Sequence, residues 1–365
     1  MALVLTEEQT LLKDSASGFF AERSPISSLR DLRDSYDSQG YKSDLWQEMA
    51  EMGFTSLLLS EDEGGTGFGF VGAGIVAEEM AKTLAPSPFI ASSIVATSLL
   101  KATKNAHLSD VASGQKIATL AVDETGHHSP YTPKTTSDSD GKVSGNKTFV
   151  PEGKAADFVI VTADRPGGFA LYLVEKDATG FSAEQTIMAD SRGWAKLSFD
   201  NTPATLLASG DAAKAILANA LSKANIILSA ELLGLSQAAF DMTVNYLKER
   251  KQFGQIIGTF QSLQHRAAHM FSEIETTRSI VLAALQAADS KDVDDQRLAI
   301  MASAAKARAS KMAELVSNEA IQMHGGIGMT DEYDIGFFIK RARAVQNLYG
   351  GYHYHLDRFA SLNGY

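Results

Sequence analysis

Two segments in the C-terminal part of the chain carry residue types that could hold a phosphate-bearing cofactor. The first, KERKQFGQIIGTFQSLQH, places Arg250 and Phe253 at the end of one predicted helix and starts another at about Gln261. An arginine can pair with a phosphate, but it is also favourable at any helix C-terminus. Taken alone, the pattern fits an ordinary helix–loop–helix equally well.

The second segment, IQMHGGIGMTDEYDIGFFIKRAR, is rich in glycine. Gln322 lies in a predicted helix that runs directly into Gly325, Gly326 and Gly328. Glycine after a helix is a common C-cap, but three glycines in four positions exceed what capping needs. The backbone N–H groups of such a loop could approach a phosphate or an adenine closely. As an isolated motif this remains a weak signal.

A third stretch, QNLYGGYHYH, places Gly350 and Gly351 after a long run of helical sequence. The glycine pair could simply end a helix. His353 and His355, with Asp357, could form a metal pair. Polar residues near a chain end are the simpler interpretation, and we expect no metal.

The residue pattern along the chain changes twice, from helical to β-rich and back to helical. These changes predict the elements that position the segments above. Residues 1–115 are typical of helices, beginning at Thr6 as N-cap with Glu7 and Glu8 in the first turn. Residues 116–208 hold short β-rich runs separated by turn residues, which predicts an antiparallel barrel or sandwich. Residues 209–365 return to helix. One helix there has an apolar seam at Leu228, Leu232, Leu235, Ala239, Met242 and Tyr246, as in a bundle.

The composition restricts the class of protein. The 365 residues include no cysteine, which excludes thiolate chemistry. The formal net charge of −11 argues against nucleic acid as a partner. The N-terminus lacks the pattern of a signal peptide, and the most apolar stretch is interrupted by Ser229, Glu231 and Ser236. We therefore expect no membrane span and a cytoplasmic protein.

Taken together and in this order, the motifs resemble the acyl-CoA dehydrogenase family over essentially the whole chain. The resemblance rests on LTEEQTLLKDSASGFFAE, MGFTSLLLSEDEGGTGF, VSGNKTFVPEGKAADFVIVTA and the two C-terminal segments quoted above. It implies an α+β fold with an N-terminal helical domain, a middle antiparallel β-domain and a C-terminal four-helix bundle. It also implies oxidation of the Cα–Cβ bond of an acyl-CoA by FAD.

The resemblance assigns one half of a FAD site to this chain. The positions that match family contacts to the pyrophosphate and adenosine of FAD are Arg250, Phe253, Gln261, Gln322, Gly325 and Gly326. In the family these positions serve a flavin that is bound mainly by the neighbouring subunit. The cofactor would therefore be shared with a partner.

The catalytic base of the family has no counterpart in this sequence. A carboxylate must reach within roughly 3 Å of the carbon that loses its proton. The usual glutamate position corresponds to Gly350, and the position used by a minority of the family corresponds to Ala224, followed by Asn225. Glu231 lies seven residues further on, ~10 Å along a helix, which is too far. We predict no catalytic residue in this chain.

The flavin-ring half of the site also departs from the family. The family run VTEP corresponds to VDET, with Asp123 and Thr125, and the Trp and Thr that flank the ring correspond to Phe149 and Pro151. Asp123 places a negative charge where a donor belongs, and Pro151 removes a backbone N–H. The departures from the family residues therefore cluster in the flavin-ring half of the FAD site.

This pattern favours the non-catalytic subunit of a heteromeric (α2β2) acyl-CoA dehydrogenase. The partner would be a second acyl-CoA dehydrogenase-like chain with the catalytic glutamate, the substrate an acyl-CoA such as a bulky or steroid side-chain CoA ester, and the acceptor an electron-transfer flavoprotein or similar protein. Two alternatives remain at this stage. One is a homomeric flavoenzyme that needs no α-proton base, and the other is a flavin-free acyl-CoA-binding protein.

Overall fold

The computed structural model describes residues 4–37 and 39–365. Contacts divide the chain into two compact units. The first contains residues up to Leu29, Phe70–Ala85 and Asn225–Tyr365, and the second contains Arg30–Gly69 and Pro86–Ala224. The three-segment division at 115 and 208 stays a prediction.

The helices in chain order are α1 (Glu7–Arg23), α2 (Ile26–Asp34), α3 (Ser43–Glu51), α4 (Gly69–Lys82), α5 (Thr97–Ala102), α6 (Leu108–Ala112), α7 (Gly210–Glu249), α8 (Gln261–Asp289), α9 (Asp295–His324), α10 (Ile335–Asn347) and α11 (Tyr352–Leu362). A π-helix, Phe89–Ala96, precedes α5. Thr6 caps α1 as predicted, because its hydroxyl accepts from the Gln9 N–H and the Gln9 side chain accepts from the Thr6 N–H.

The strands are β1 (Ala118–Ala121), β2 (Thr136–Ser137), β3 (Lys142–Pro151), β4 (Phe158–Arg165), β5 (Gly168–Glu175), β6 (Phe181–Thr186), β7 (Trp194–Pro203), β8 (Thr205–Ser209), β9 (Lys251–Gln252) and β10 (Gln255–Ile256). The first eight form one sheet in the order β6-β7-β3-β2-β4-β5-β8, with β1 paired to β4. Its pairings are antiparallel except β1 with β4 and β2 with β4, which are parallel. The predicted α+β fold class is confirmed, with a sheet that is mixed.

Helix α7 is more deeply buried than its predicted apolar seam required. Every residue from Ala224 to Ser236 is buried, polar residues included. By length and composition α7 could cross a membrane, but 78% of its most apolar window is buried inside the protein. Its apolar surface is thus used in packing, as in the core helix of a globular domain.

Helix α9 lies at the centre of the first unit, where it packs against α8, α10 and α11. Its buried face is built from small residues, among them Ala302, Ala305 and Ala309. Small side chains let the neighbouring helices approach closely. Lys306 lies on this same face and is completely buried.

Candidate functional site

The six residues predicted to contact FAD are all exposed, and all belong to the first unit. Three of them have polar side chains: Arg250, Gln261 and Gln322. In the part of the chain that the structure describes, none of these three side chains has a hydrogen-bond or ion-pair partner. An exposed guanidinium without an internal partner can accept an anion without breaking an existing contact.

A short hairpin presents Phe253 to solvent. Strands β9 and β10 pair between Lys251 and Ile256, and the turn uses Phe253 at φ +53° and Gly254 at φ +79°. Phe253 is 90% exposed and touches only the edge of the Phe260 ring among aromatic groups of the described chain. A positive φ is unusual for a phenylalanine. The hairpin therefore holds a large apolar side chain away from the protein's own core.

The glycine-rich loop begins where α9 ends. Gly325 has φ +65°, which favours glycine, and both Gly325 and Gly326 are exposed. Gly328 is buried, and a Cβ at Gly328 would lie 2.8 Å from the Ile321 carbonyl oxygen. The loop thus folds back on the last turn of α9 and leaves the backbone of Gly325 and Gly326 open to a ligand.

The position predicted to lack the base is closed by the protein itself. Gly350 has φ +106°, and a Cβ there would lie 2.3 Å from Cδ1 of Tyr354 and 3.0 Å from Nε2 of His355. The His355 Nε2–H donates to the Tyr349 carbonyl oxygen at 3.1 Å. A side chain at position 350 therefore has no room to enter.

A buried lysine fixes the backbone on both sides of Tyr349. The Lys306 ammonium donates to the Leu348 carbonyl at 2.6 Å, to Asn225 Oδ1 at 3.1 Å and to the Gly350 carbonyl at 3.5 Å. Asn225 in turn donates to the Tyr349 carbonyl at 3.3 Å. Burial lowers the pKa of Lys306 to about 7, although the charge of Glu231 acts in the opposite direction.

The other positions considered for a base or a metal ligand do not supply a free carboxylate or a ligand group. Ala224 is fully buried and carries no acid. Glu231 is 1% exposed and accepts from Arg341 Nε at 2.7 Å, so its carboxylate is held in an ion pair. His353 is exposed whereas His355 is buried, and no group of three potential metal ligands forms among the described residues.

The predicted flavin-ring residues lie in the second unit, and several of their groups are engaged within the chain. Asp123 Oδ1 lies 2.7 Å from His128 Nδ1, and the two side chains are only 16% and 6% exposed. The Thr125 hydroxyl accepts from the His127 N–H, and the Pro151 carbonyl accepts from the Thr119 hydroxyl at 2.7 Å. Phe149 has φ +52° and is 40% exposed.

A second buried lysine fixes this loop. Lys147 donates to Glu124 Oε1 at 2.7 Å, to Thr162 Oγ1 at 2.9 Å and to the Val122 carbonyl at 3.3 Å. Burial lowers the pKa of Lys147. Although burial acts in the opposite direction, hydrogen bonds from Lys147 and Thr135 lower the pKa of Glu124 to about 2.

Sequence reasoning did not identify the side chains that hold the closed positions 350 and 123. These are Lys306 and Asn225 near Gly350, and His128 beside Asp123. Lys306 could have been found, because the residues three and four positions away on either side are Ala302, Ser303, Ala309 and Ser310. A lysine on a face of small residues is a candidate for burial. His128 carries no comparable signal.

Comparison with known proteins identifies the family. The N-terminal domain of acyl-CoA dehydrogenases matches residues 6–115, and the C-terminal domain of acyl-CoA dehydrogenases matches residues 214–360. A solved variant of the Tcur3481–Tcur3483 steroid ACAD is 31% identical with a TM-score of 0.89, over 98% of each chain. The chain belongs to the acyl-CoA dehydrogenase family.

Two further proteins are similar over nearly the whole chain. Acyl-CoA dehydrogenase IpdE2 of Mycolicibacterium smegmatis is 28% identical over 95% of this chain and 96% of that protein. The ChsE4–ChsE5 complex from Mycobacterium tuberculosis shares the fold, with a TM-score of 0.88 at 21% identity over 99% of this chain and 98% of that one.

Proposed function

We propose that this chain is the non-catalytic subunit of a heteromeric, FAD-dependent acyl-CoA dehydrogenase. The observation that carries the proposal is the contrast between two sets of residues. The side chains of Arg250, Gln261 and Gln322 are exposed and have no partner among the described residues. Position 350, in contrast, is closed by Tyr354 and His355. Such a chain can offer contacts to a cofactor but no base to a substrate.

The residues of the first unit fit one end of FAD. Arg250 would pair with the pyrophosphate, and the exposed backbone of Gly325 and Gly326 would approach it or the adenosine closely, although the Gly325 N–H itself already donates to the Gln322 carbonyl. The amides of Gln261 and Gln322 offer both donors and acceptors. Bound FAD would supply the hydride acceptor for the oxidation.

The residues of the second unit fit the flavin ring poorly. The Asp123 carboxylate already has His128 as a partner, and opening that pair would leave a half-buried charge. Pro151 offers no N–H. A partner subunit of the same family, with the catalytic glutamate, would therefore hold the ring and the acyl-CoA.

The relatives support a bulky substrate and a two-chain assembly. One similar structure bears the name of a steroid acyl-CoA dehydrogenase with two components, and another is a complex of two chains. By analogy, the substrate here would be a bulky acyl-CoA such as a steroid side-chain CoA ester. The electrons would pass to an electron-transfer flavoprotein or a similar acceptor in the cytoplasm.

Flavin bleaching by substrate tests the proposal. The chain is purified alone and also co-expressed with a candidate partner, an acyl-CoA dehydrogenase-like chain that carries the family's glutamate. Both samples then receive acyl-CoA esters from short chains to steroid side chains. We expect bleaching only in the co-expressed sample. Rapid bleaching by the chain alone would indicate the homomeric flavoenzyme, and acyl-CoA binding without flavin in either sample would indicate the flavin-free binding protein.

A further inference from the structure

Three aromatic rings pack together between the two predicted FAD-binding segments, in a cluster that we call the stack. Tyr246 lies near the end of α7, His324 is the last residue of α9, and Tyr333 follows the glycine-rich loop. The His324 ring centroid lies 4.5 Å from that of Tyr246, with 29° between the planes, and 4.8 Å from that of Tyr333. Tyr246 and Tyr333 are 6.1 Å apart. His324 therefore contacts both tyrosines at once.

His324 is placed as a neutral ring. Its Nδ1–H donates to the Ala320 carbonyl at 2.7 Å, and the side chain is 3% exposed. Its Nε2 is buried and has no hydrogen-bond partner among the described residues. Burial also lowers the pKa of His324. A protonated ring would bury an unpaired N–H, so the stack requires the neutral form.

The stack is joined directly to both segments. The Arg250 N–H donates to the Tyr246 carbonyl at 2.9 Å, so Tyr246 belongs to the turn that carries Arg250. The Ile257 N–H donates to the Arg250 carbonyl at 2.9 Å and closes the hairpin. On the other side, Gly325 follows His324 in sequence, and a Cβ at Gly328 would lie 3.0 Å from His324 Cβ.

We propose that His324 is a positioning residue that holds the Arg250 turn and the Gly325–Gly326 loop in a fixed relation. The two segments can then contact a single adenosine pyrophosphate group. The identity of that ligand rests on the proposed function, but the coupling of the segments does not. Removing the ring should loosen both segments, because two aromatic contacts are lost.

Hydrogen–deuterium exchange of the chain alone tests the coupling. In His324→Ala we expect roughly tenfold faster exchange in peptides covering both 246–257 and 325–333, while His324→Phe, which keeps a ring, stays close to the unchanged protein. His269→Ala, on an exposed part of α8, is the control. Tyr246→Ala should loosen the 325–333 loop in the same way. Exchange that rises only beside each substitution would overturn the proposal.

Flavin affinity of the co-expressed complex is the second measurement. His324→Ala should weaken FAD binding roughly tenfold, and His324→Phe should restore most of it. Equal affinity of His324→Ala and the unchanged complex would also overturn the proposal. If no complex binds FAD, the proposed function fails, while the exchange measurement still decides the coupling.

Discussion

Gly350 shows at the scale of one residue how the position predicted for the family's base is packed. Its φ of +106° favours glycine, and the Tyr354 ring occupies the space that a Cβ would need. The carbonyl groups of Leu348, Tyr349 and Gly350 all accept hydrogen bonds from buried side chains. Position 350 is therefore closely packed rather than open.

Substitution of Gly350 should destabilise the protein without creating activity. Gly350→Ala should lower the free energy of unfolding by on the order of 2–4 kcal/mol, because backbone strain and overpacking add. Gly351→Ala is the matched control, since Gly351 has φ −81° and its nearest atom is 3.4 Å from the new Cβ. Denaturation curves measure both. Gly350→Glu that bleaches flavin with an acyl-CoA in the chain alone would contradict this account.

Lys306 should make stability depend on pH above neutrality. Its pKa is about 7 in the folded protein and near 10.5 when unfolded, so between these values the unfolded state binds more protons. The free energy of unfolding should therefore rise with pH, by up to ~1.4 kcal/mol per unit, relative to Lys306→Met.

The comparison with Lys306→Met cancels those groups that titrate independently of Lys306. Denaturation of both proteins from pH 6 to 10 supplies the data. A difference in stability that stays constant across this range would mean that Lys306 keeps its proton and that burial is fully compensated by its three acceptors.

At the scale of elements, the end of α7 and its hairpin form an exposed cationic and aromatic edge. Arg250→Ala should weaken FAD binding by the assembled complex by about tenfold or more, because a charge-assisted contact of roughly 1.5–3 kcal/mol is lost. The free energy of unfolding should fall by no more than about 1 kcal/mol, the effect of a cation at a helix C-terminus, since Arg250 has no internal partner among the described residues. Lys251→Ala, which removes a neighbouring exposed charge, is the control. Unchanged flavin affinity in Arg250→Ala would mean that Arg250 only ends a helix.

The elements themselves could be predicted from the sequence because their signals are local. The Thr6 cap, the change from helix to strand texture and the apolar seam of α7 each depend on residues within a few turns of one another. The exposed segments at Arg250 and Gly325 were likewise recognisable as motifs. Their role as FAD contacts stays a prediction.

The closed positions could not be predicted, because their partners are distant in sequence. Lys306 reaches Asn225 and Leu348, which are 81 and 42 residues away. The parallel strand pairs of the sheet could not be predicted for the same reason. The pairing of β1 with β4 depends on how the chain between them returns. Only the folded chain shows which polar groups satisfy one another.

For the whole molecule, the account requires two different chains. In that proposal this chain offers the adenosine half of a FAD site, and Asp123 on the predicted ring side is paired with His128. A homodimer would lack a ring half at each site. A heterodimer of this chain and the proposed partner has two interfacial sites. Only one of them combines the adenosine half from this chain with the ring half from the partner.

The flavin content of the co-expressed complex tests this central claim most directly. Native mass spectrometry and flavin absorbance together give the number of FAD molecules per assembly. The account predicts one FAD per heterodimer, and therefore two per α2β2 tetramer. Four FAD per tetramer, or a stable flavin-loaded homotetramer of this chain alone, would contradict it.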